Sequence, residues 1–153
     1  MNFEALIPHL QEIIDYGILA LLALMSLLSF WIFFERVFFL YSLKLQDYDN
    51  RDKLELELTN NITIISVIAS NAPYVGLLGT VGGIILTFYS MGEASNIDVK
   101  TIMVGLALAL KATAAGLLVA IPAIVMYSTI LRKIEKKLTQ FDILKDTQDE
   151  TKM

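Results

Sequence analysis

The 153-residue chain has no cysteine, which removes disulfides and thiol chemistry and leaves its redox compartment unread. Charge is missing from three long stretches. No Asp, Glu, Lys or Arg occurs from Tyr16 to Phe34 or from Asn60 to Gly92, and Lys111 alone breaks the rule from Thr101 to Leu131. The first fifteen residues hold no Lys or Arg, so the basic segment that opens a secretory leader is missing. The apolar run that follows passes into Glu35-Arg36 and further aromatics, where small residues would mark a cleavage site. It reads as a retained anchor. Also missing are a nucleophile–base–acid set, a cluster of metal ligands, and a phosphate-binding loop between a strand and a helix. An enzyme is not expected, nor is a metal or a cofactor. The net charge of −4 is spread over tails and loops and says little about partners; no nucleic-acid partner is expected.

What is present is apolar. Hydrophobic residues make up 56 % of the chain, and the charge-free stretches account for more than half of it. Each is long enough for the ~20 residues that cross a bilayer, and the second and third run well beyond that. The flanks orient them. Residues 1–15 contain no Lys or Arg, the loop 35–59 contains four, 93–100 contains one, and the tail after Leu131 contains six. Basic residues collect on the cytoplasmic side, which predicts an outer N-terminus and an inner C-terminus. The expected fold is an all-α membrane protein with three transmembrane helices. Its parts are an interfacial amphipathic helix over 1–15, spans over 16–40, 60–92 and 101–131, a short cytoplasmic loop over 41–59, a periplasmic loop over 93–100, and a cytoplasmic helical extension and tail over 132–153. The interfacial helix rests on the spacing of Phe3, Leu6, Ile7, Leu10, Ile13 and Ile14. His9 among them reads as a solvated interfacial residue. Leu54, Leu58, Ile62 and Ile65 predict that the second long helix begins early, and residues 146–153 read as a polar, disordered end.

Small residues form stripes on two of the three spans. Ala69, Ala72, Pro73, Gly76, Thr80, Gly83 and Thr87 share one arc of the second, and Gly105, Ala109, Ala112, Gly116, Ala120 and Ala123 share one arc of the third. Such stripes let membrane helices approach closely, where apolar bulk gives no preference for protein over lipid. The first span has none and should lie on the outside. Thr80 and Thr113 each fall roughly 17 Å below the outer loop at helical rise, at matching depth. Either hydroxyl can bond back to its own helix; two at one level can also form a polar ring around an axis shared by several subunits. Lys111 costs roughly 3 kcal/mol in mid-membrane. A proton or ion path, a partner anion, a pair at a subunit interface, and a stem snorkelling to the headgroups each account for it.

The segments Ala72-Pro-Tyr-Val-Gly-Leu-Leu-Gly-Thr-Val-Gly-Gly-Ile84 and Gly105-Leu-Ala-Leu-Ala-Leu-Lys-Ala-Thr-Ala-Ala-Gly-Leu-Leu-Val-Ala-Ile-Pro-Ala123 resemble the ExbB/TolQ/MotA family of proton-channel proteins, the ExbB and TolQ branch most closely. The resemblance implies a homopentamer in the bacterial inner membrane, with phospholipid around it. The second and third helices would line a pore threaded by single-span ExbD- or TolR-like subunits. A TonB-like protein would transmit the work to outer-membrane receptors for iron-siderophore or similar cargo. It also implies that Thr80 and Thr113 face the pore near a partner aspartate. Pro73, Gly76, Gly79, Gly83, Gly116 and Pro122 would shape and pack the pore helices, as would Gly105 in the small arc. Better-known members carry a glutamate where Leu108 stands, and no acid occurs in the apolar stretches 16–34, 60–92 and 101–131, Glu35 standing at the end of the first span. The titratable carboxylate must then come from the partner, and Lys111 is a candidate counter-charge to it.

Overall fold

The computed structural model describes residues 3–92 and 99–152, without the side chains of residues 3–15, 90, 101, 149, 151 and 152. Four helices follow one another: α1 Phe3–Ser42, α2 Arg51–Thr59, α3 Ile62–Gly92 and α4 Val99–Lys152, with a 3-10 turn Leu45–Asp47 between the first two. Three of them, α1, α3 and α4, are long and apolar enough to cross a membrane. α4 has 54 residues. It is roughly 80 Å long at 1.5 Å per residue, against a hydrocarbon layer of about 30 Å, so a large part must project beyond the lipid.

Two kinds of packing hold the helices together. Toward the α2 end the contacts are bulky: Ile32 and Leu40 of α1, Leu54 and Leu58 of α2, Ile62 and Ile65 of α3, and Ile130, Ile134, Leu138 and Phe141 of α4 form one buried cluster. For Leu54 and Leu58 of α2, which lie outside the span-capable helices, burial from water contributes about 1.5–3 kcal/mol each. Toward the other end the core thins to Leu22, Ala72 and Ala120, and glycines take over. There α3 and α4 run antiparallel at close range, with Gly76 against Gly116, Gly83 against Ala109, and Thr87 against Gly105. Among the described residues α1 reaches this pair through Ile18 at Gly79 and Leu22 beside Ala72 and Ala120. Its opposite face stays exposed through Leu24, Leu27, Trp31, Phe34 and Phe38.

Several details differ from the sequence reading. α1 runs unbroken through the boundary expected at residues 15/16. The side chain of His9 lies outside the described residues, as does most of the loop expected at 93–100. Leu54, Leu58, Ile62 and Ile65 do share the buried side, but they do not belong to one helix. The chain breaks at Asn60–Asn61, where Asn61 takes a left-handed φ of 61°. Asparagine tolerates that region better than other side chains, and Asn60 returns the chain by accepting from the Ile62 N–H at 2.9 Å. Asn50 opens α2 as its N-cap, accepting from the Asp52 N–H at 2.8 Å. At the far end α4 stays helical to Lys152, so the segment expected to be disordered is helix through that residue.

Candidate functional site

The polar centre of the apolar bundle is a hydroxyl pair. Thr80 sits on the small-residue face of α3 and is 7 % exposed; Thr113 sits on the facing side of α4 and is half-buried. Their Oγ1 atoms hydrogen-bond to each other across the helix interface. Two backbone carbonyls complete the group. Thr80 Oγ1 lies 3.1 Å from the Ala109 oxygen and 3.3 Å from that of Gly76, and Thr113 Oγ1 lies 3.5 Å from the Gly76 oxygen. The pair has two hydroxyl protons and more acceptors than that. Thr113 can donate to Thr80 while Thr80 donates to Ala109, or Thr80 can donate to Thr113 while Thr113 donates to Gly76. The two patterns interconvert by rotating two hydroxyls. Such a group orients water or a carboxylate brought beside it, but its hydroxyls do not titrate near neutral pH.

The glycines set this distance. A Cβ on Gly76 would stand 2.7 Å from the Ala112 oxygen and 3.1 Å from the Cα of Gly116. One on Gly116 would stand 2.6 Å from the Ala72 oxygen, and one on Gly79 would strike the Ala112 methyl at 2.7 Å. Gly83 meets Ala109 at 3.0 Å, and Gly105 meets Thr87 at 2.7 Å. Gly76 and Gly116 are therefore tight backbone approaches, whereas Gly79, Gly83 and Gly105 first meet side chains of neighbouring helices. Thr87 is buried beside them and bonds back to the Gly83 carbonyl at 2.8 Å. Pro73 and Pro122 lie inside α3 and α4, both half-buried, and neither ends its helix.

Lys111 is not part of the hydroxyl pair. It is exposed, and its neighbour Ala112 takes the buried position against α3. Thr113 lies two positions further on, which is roughly 160° of helix rotation, so the two side chains serve different surfaces. Leu108 is exposed one turn away. Among the described residues no carboxylate pairs with Lys111.

Arg36, which in the sequence counts only as a unit of positive charge, has a structural post for its guanidinium. It is 6 % exposed, donates through Nη1 to the Glu57 carbonyl at 3.0 Å, and pairs through Nη2 with the Glu35 carboxylate at 2.9 Å. Glu57 belongs to the last turn of α2, whose carbonyls have no partner within the helix. Arg36 thus caps α2 from α1, with its guanidinium carbon 5.2 Å from the centre of the Phe39 ring. An arginine set among aromatics at the end of an apolar span marks the position, but nothing in the sequence marks its carbonyl partner.

Residues 35–143, which include α2, α3, the hydroxyl pair and most of α4, match the MotA/TolQ/ExbB proton channel family. The chain belongs to that family. Among curated ExbB/TolQ relatives, a putative biopolymer transport protein ExbB-like 2 of Helicobacter pylori is 53 % identical over 134 residues, 88 % of this chain and 89 % of that protein. The biopolymer transport protein ExbB of Aquifex aeolicus is 48 % identical over 139 residues, 91 % of this chain and 94 % of that protein. A Tol-Pal system protein TolQ of Haemophilus influenzae is 38 % identical over 85 residues, 56 % of this chain and 36 % of that protein. With three helices able to span, this member of the ExbB/TolQ proton-channel family is a multi-pass membrane protein.

Proposed function

We propose that this chain is the channel-forming subunit of an inner-membrane motor that couples the proton-motive force, together with an ExbD-like single-span partner, to TonB-dependent import across the outer membrane. The observation that carries the proposal is the Thr80–Thr113 hydroxyl pair, held between glycine-packed helices in spans without any acid of their own. A hydroxyl pair with two interchangeable donor patterns can solvate a carboxylate in both its charged and its neutral state. That is the service a proton-carrying acid on a partner helix requires. The energy is ample, since the membrane field supplies about 2.3 kcal/mol per charge per 100 mV.

In this reading five copies surround the partner helix, α3 and α4 face the pore, and α1 faces lipid. The N-terminus is periplasmic and the α2 end cytoplasmic. Exposed apolar α1 side chains and the basic residues of the α2 end support that placement. Lys111, on the face of α4 turned away from Thr113, is the counter-charge to a carboxylate of another chain. Near end-to-end coverage of the Helicobacter ExbB-like 2 and Aquifex ExbB proteins favours the ExbB role. A TolQ-like part in envelope maintenance is the second reading, supported by the partial TolQ matches. The test is energised import in cells carrying Lys111→Met or Thr113→Val, with oligomer assembly checked by crosslinking. Loss of import with normal assembly is expected. Unimpaired import in both variants would leave only a passive scaffold for the partner helix.

A further inference from the structure

Where α1 leaves its span, its last turn and α4 enclose a groove of about 260 Å³ lined by Leu40, Tyr41, Lys133, Lys136, Lys137 and Gln140. Three ammonium groups on two turns of α4 share this space, and no carboxylate lines it. Glu135, the acid nearest in sequence, lies on the adjoining surface with Arg132 and Lys136. Among the described residues none of the three lysines is in an ion pair. Lys133 is fixed in place by the Tyr41 ring, with Nζ 4.8 Å from its centre, a cation–π contact that presets one charge of the site. The opposite wall is apolar. Phe34, Phe38 and Tyr41 fall at i, i+4 and i+7 on α1 and are all exposed, so an aromatic strip runs from the mouth of the groove back along the span.

A cluster of unpaired cations that repel one another is relieved by an anion. A strip of exposed aromatics leading into the hydrocarbon suits an acyl chain. One ligand satisfies both halves. We infer that this groove holds the headgroup of an anionic glycerophospholipid, its phosphate among Lys133, Lys136 and Lys137 and its acyl chain against Phe38 and Phe34. The site ties the end of α1 to the projecting part of α4 through a lipid as well as through protein contacts. The inference rests on reading α1 and α4 as membrane spans, and is independent of proton coupling.

The test uses the full chain in nanodiscs of phosphatidylcholine with or without phosphatidylglycerol, and scores by native mass spectrometry the lipid kept after mild delipidation. Phosphatidylglycerol should be enriched over phosphatidylcholine on the wild-type protein. At about five-fold per lysine, K133Q/K136Q/K137Q should lower that enrichment roughly a hundred-fold. A control that removes the same charge elsewhere, K44Q/K53Q/K145Q, should keep it. Tyr41→Phe, which preserves the ring, should also keep it, and Tyr41→Leu should lose part of it. Equal losses in both triple variants would show a diffuse field and overturn the site, as would no loss in either. Displacement of the lipid by inorganic phosphate alone would assign the groove to a soluble anion instead. Helical circular dichroism and oligomer size identify a triple variant that has failed to fold, in which case the two Tyr41 variants decide. Energised import is scored in parallel, so that loss of lipid and loss of coupling are read separately.

Discussion

Gly116→Ala should push α3 and α4 apart and disable the hydroxyl pair without touching either threonine. The new Cβ would lie 2.6 Å from the Ala72 carbonyl oxygen, 3.1 Å from the Gly76 Cα and 3.3 Å from the Gly76 nitrogen. All three are backbone atoms of one helix, so no side chain can swing aside. Restoring an ordinary contact requires the helices to part by roughly 0.8 Å at that level. One turn away, the same displacement would stretch the 3.1 Å contact from Thr80 to the Ala109 oxygen beyond hydrogen-bond range. Overpacking of this kind costs about 1–3 kcal/mol. Alanine's better helix propensity, up to about 1 kcal/mol, offsets only part of it. Gly17→Ala is the matched control, because a Cβ there meets nothing within 4 Å. Reversible unfolding in mixed micelles should therefore show Gly116→Ala destabilised and Gly17→Ala neutral or stabilised, with import lost only in the first. Equal stabilities would refute the close approach of α3 and α4 as the structure draws it.

Replacing either threonine by valine removes a hydroxyl at nearly constant shape, and each should cost about 1 kcal/mol of stability. Because the two share one hydrogen bond, the double variant should cost less than the sum of the singles in a double-mutant cycle. Arg36→Met should leave the Glu57 carbonyl without its donor and loosen α2. Hydrogen exchange at Leu54–Thr59 should speed up, consistent with a loss of about 1–3 kcal/mol, while the α3 amides stay protected. Tyr48 lies outside the spans and donates to the Glu57 carboxylate. That hydrogen bond chiefly, with lesser help from desolvation and nearby negative charge, raises its pKa above the ordinary 10.0. The neutral phenol is the form favoured in the fold. Its contribution is complete below pH 10 and fades as pH rises through the raised value. Ultraviolet titration of the wild type against Tyr48→Phe should show one phenol ionising late, and a difference spectrum with an ordinary midpoint would contradict the contact.

Much of this structure could be read from the chain because lipid imposes simple rules on it. The absence of charge marks the spans, and glycine and alanine on one arc mark the faces that touch; Gly76, Gly83 and Gly116 are where their spacing puts them. Equal depth of Thr80 and Thr113 was arithmetic from the loop. That they bond to each other was not, since it depends on which way two stripes rotate when they meet. The break at Asn60–Asn61 was hidden because apolar spacing carries on across it, and only the asparagine pair signalled a left-handed residue. Arg36 was hidden for another reason. Its partner is a backbone carbonyl at position 57, and no side-chain pattern records an orphan helix carbonyl. The polar end of α4 was misjudged because composition measures burial, whereas a long helix continues by propagation from the packed turns before it.

In the proposed function the Thr80–Thr113 pair serves an acid carried by another chain. Its most direct test is proton flux into liposomes under an imposed membrane potential, read with an entrapped pH dye. Flux is expected when this chain is reconstituted with its single-span partner, with little flux from this chain alone and a severe loss with Thr113→Val at unchanged assembly. Equal flux without the partner, or undiminished flux from Thr113→Val, would contradict it.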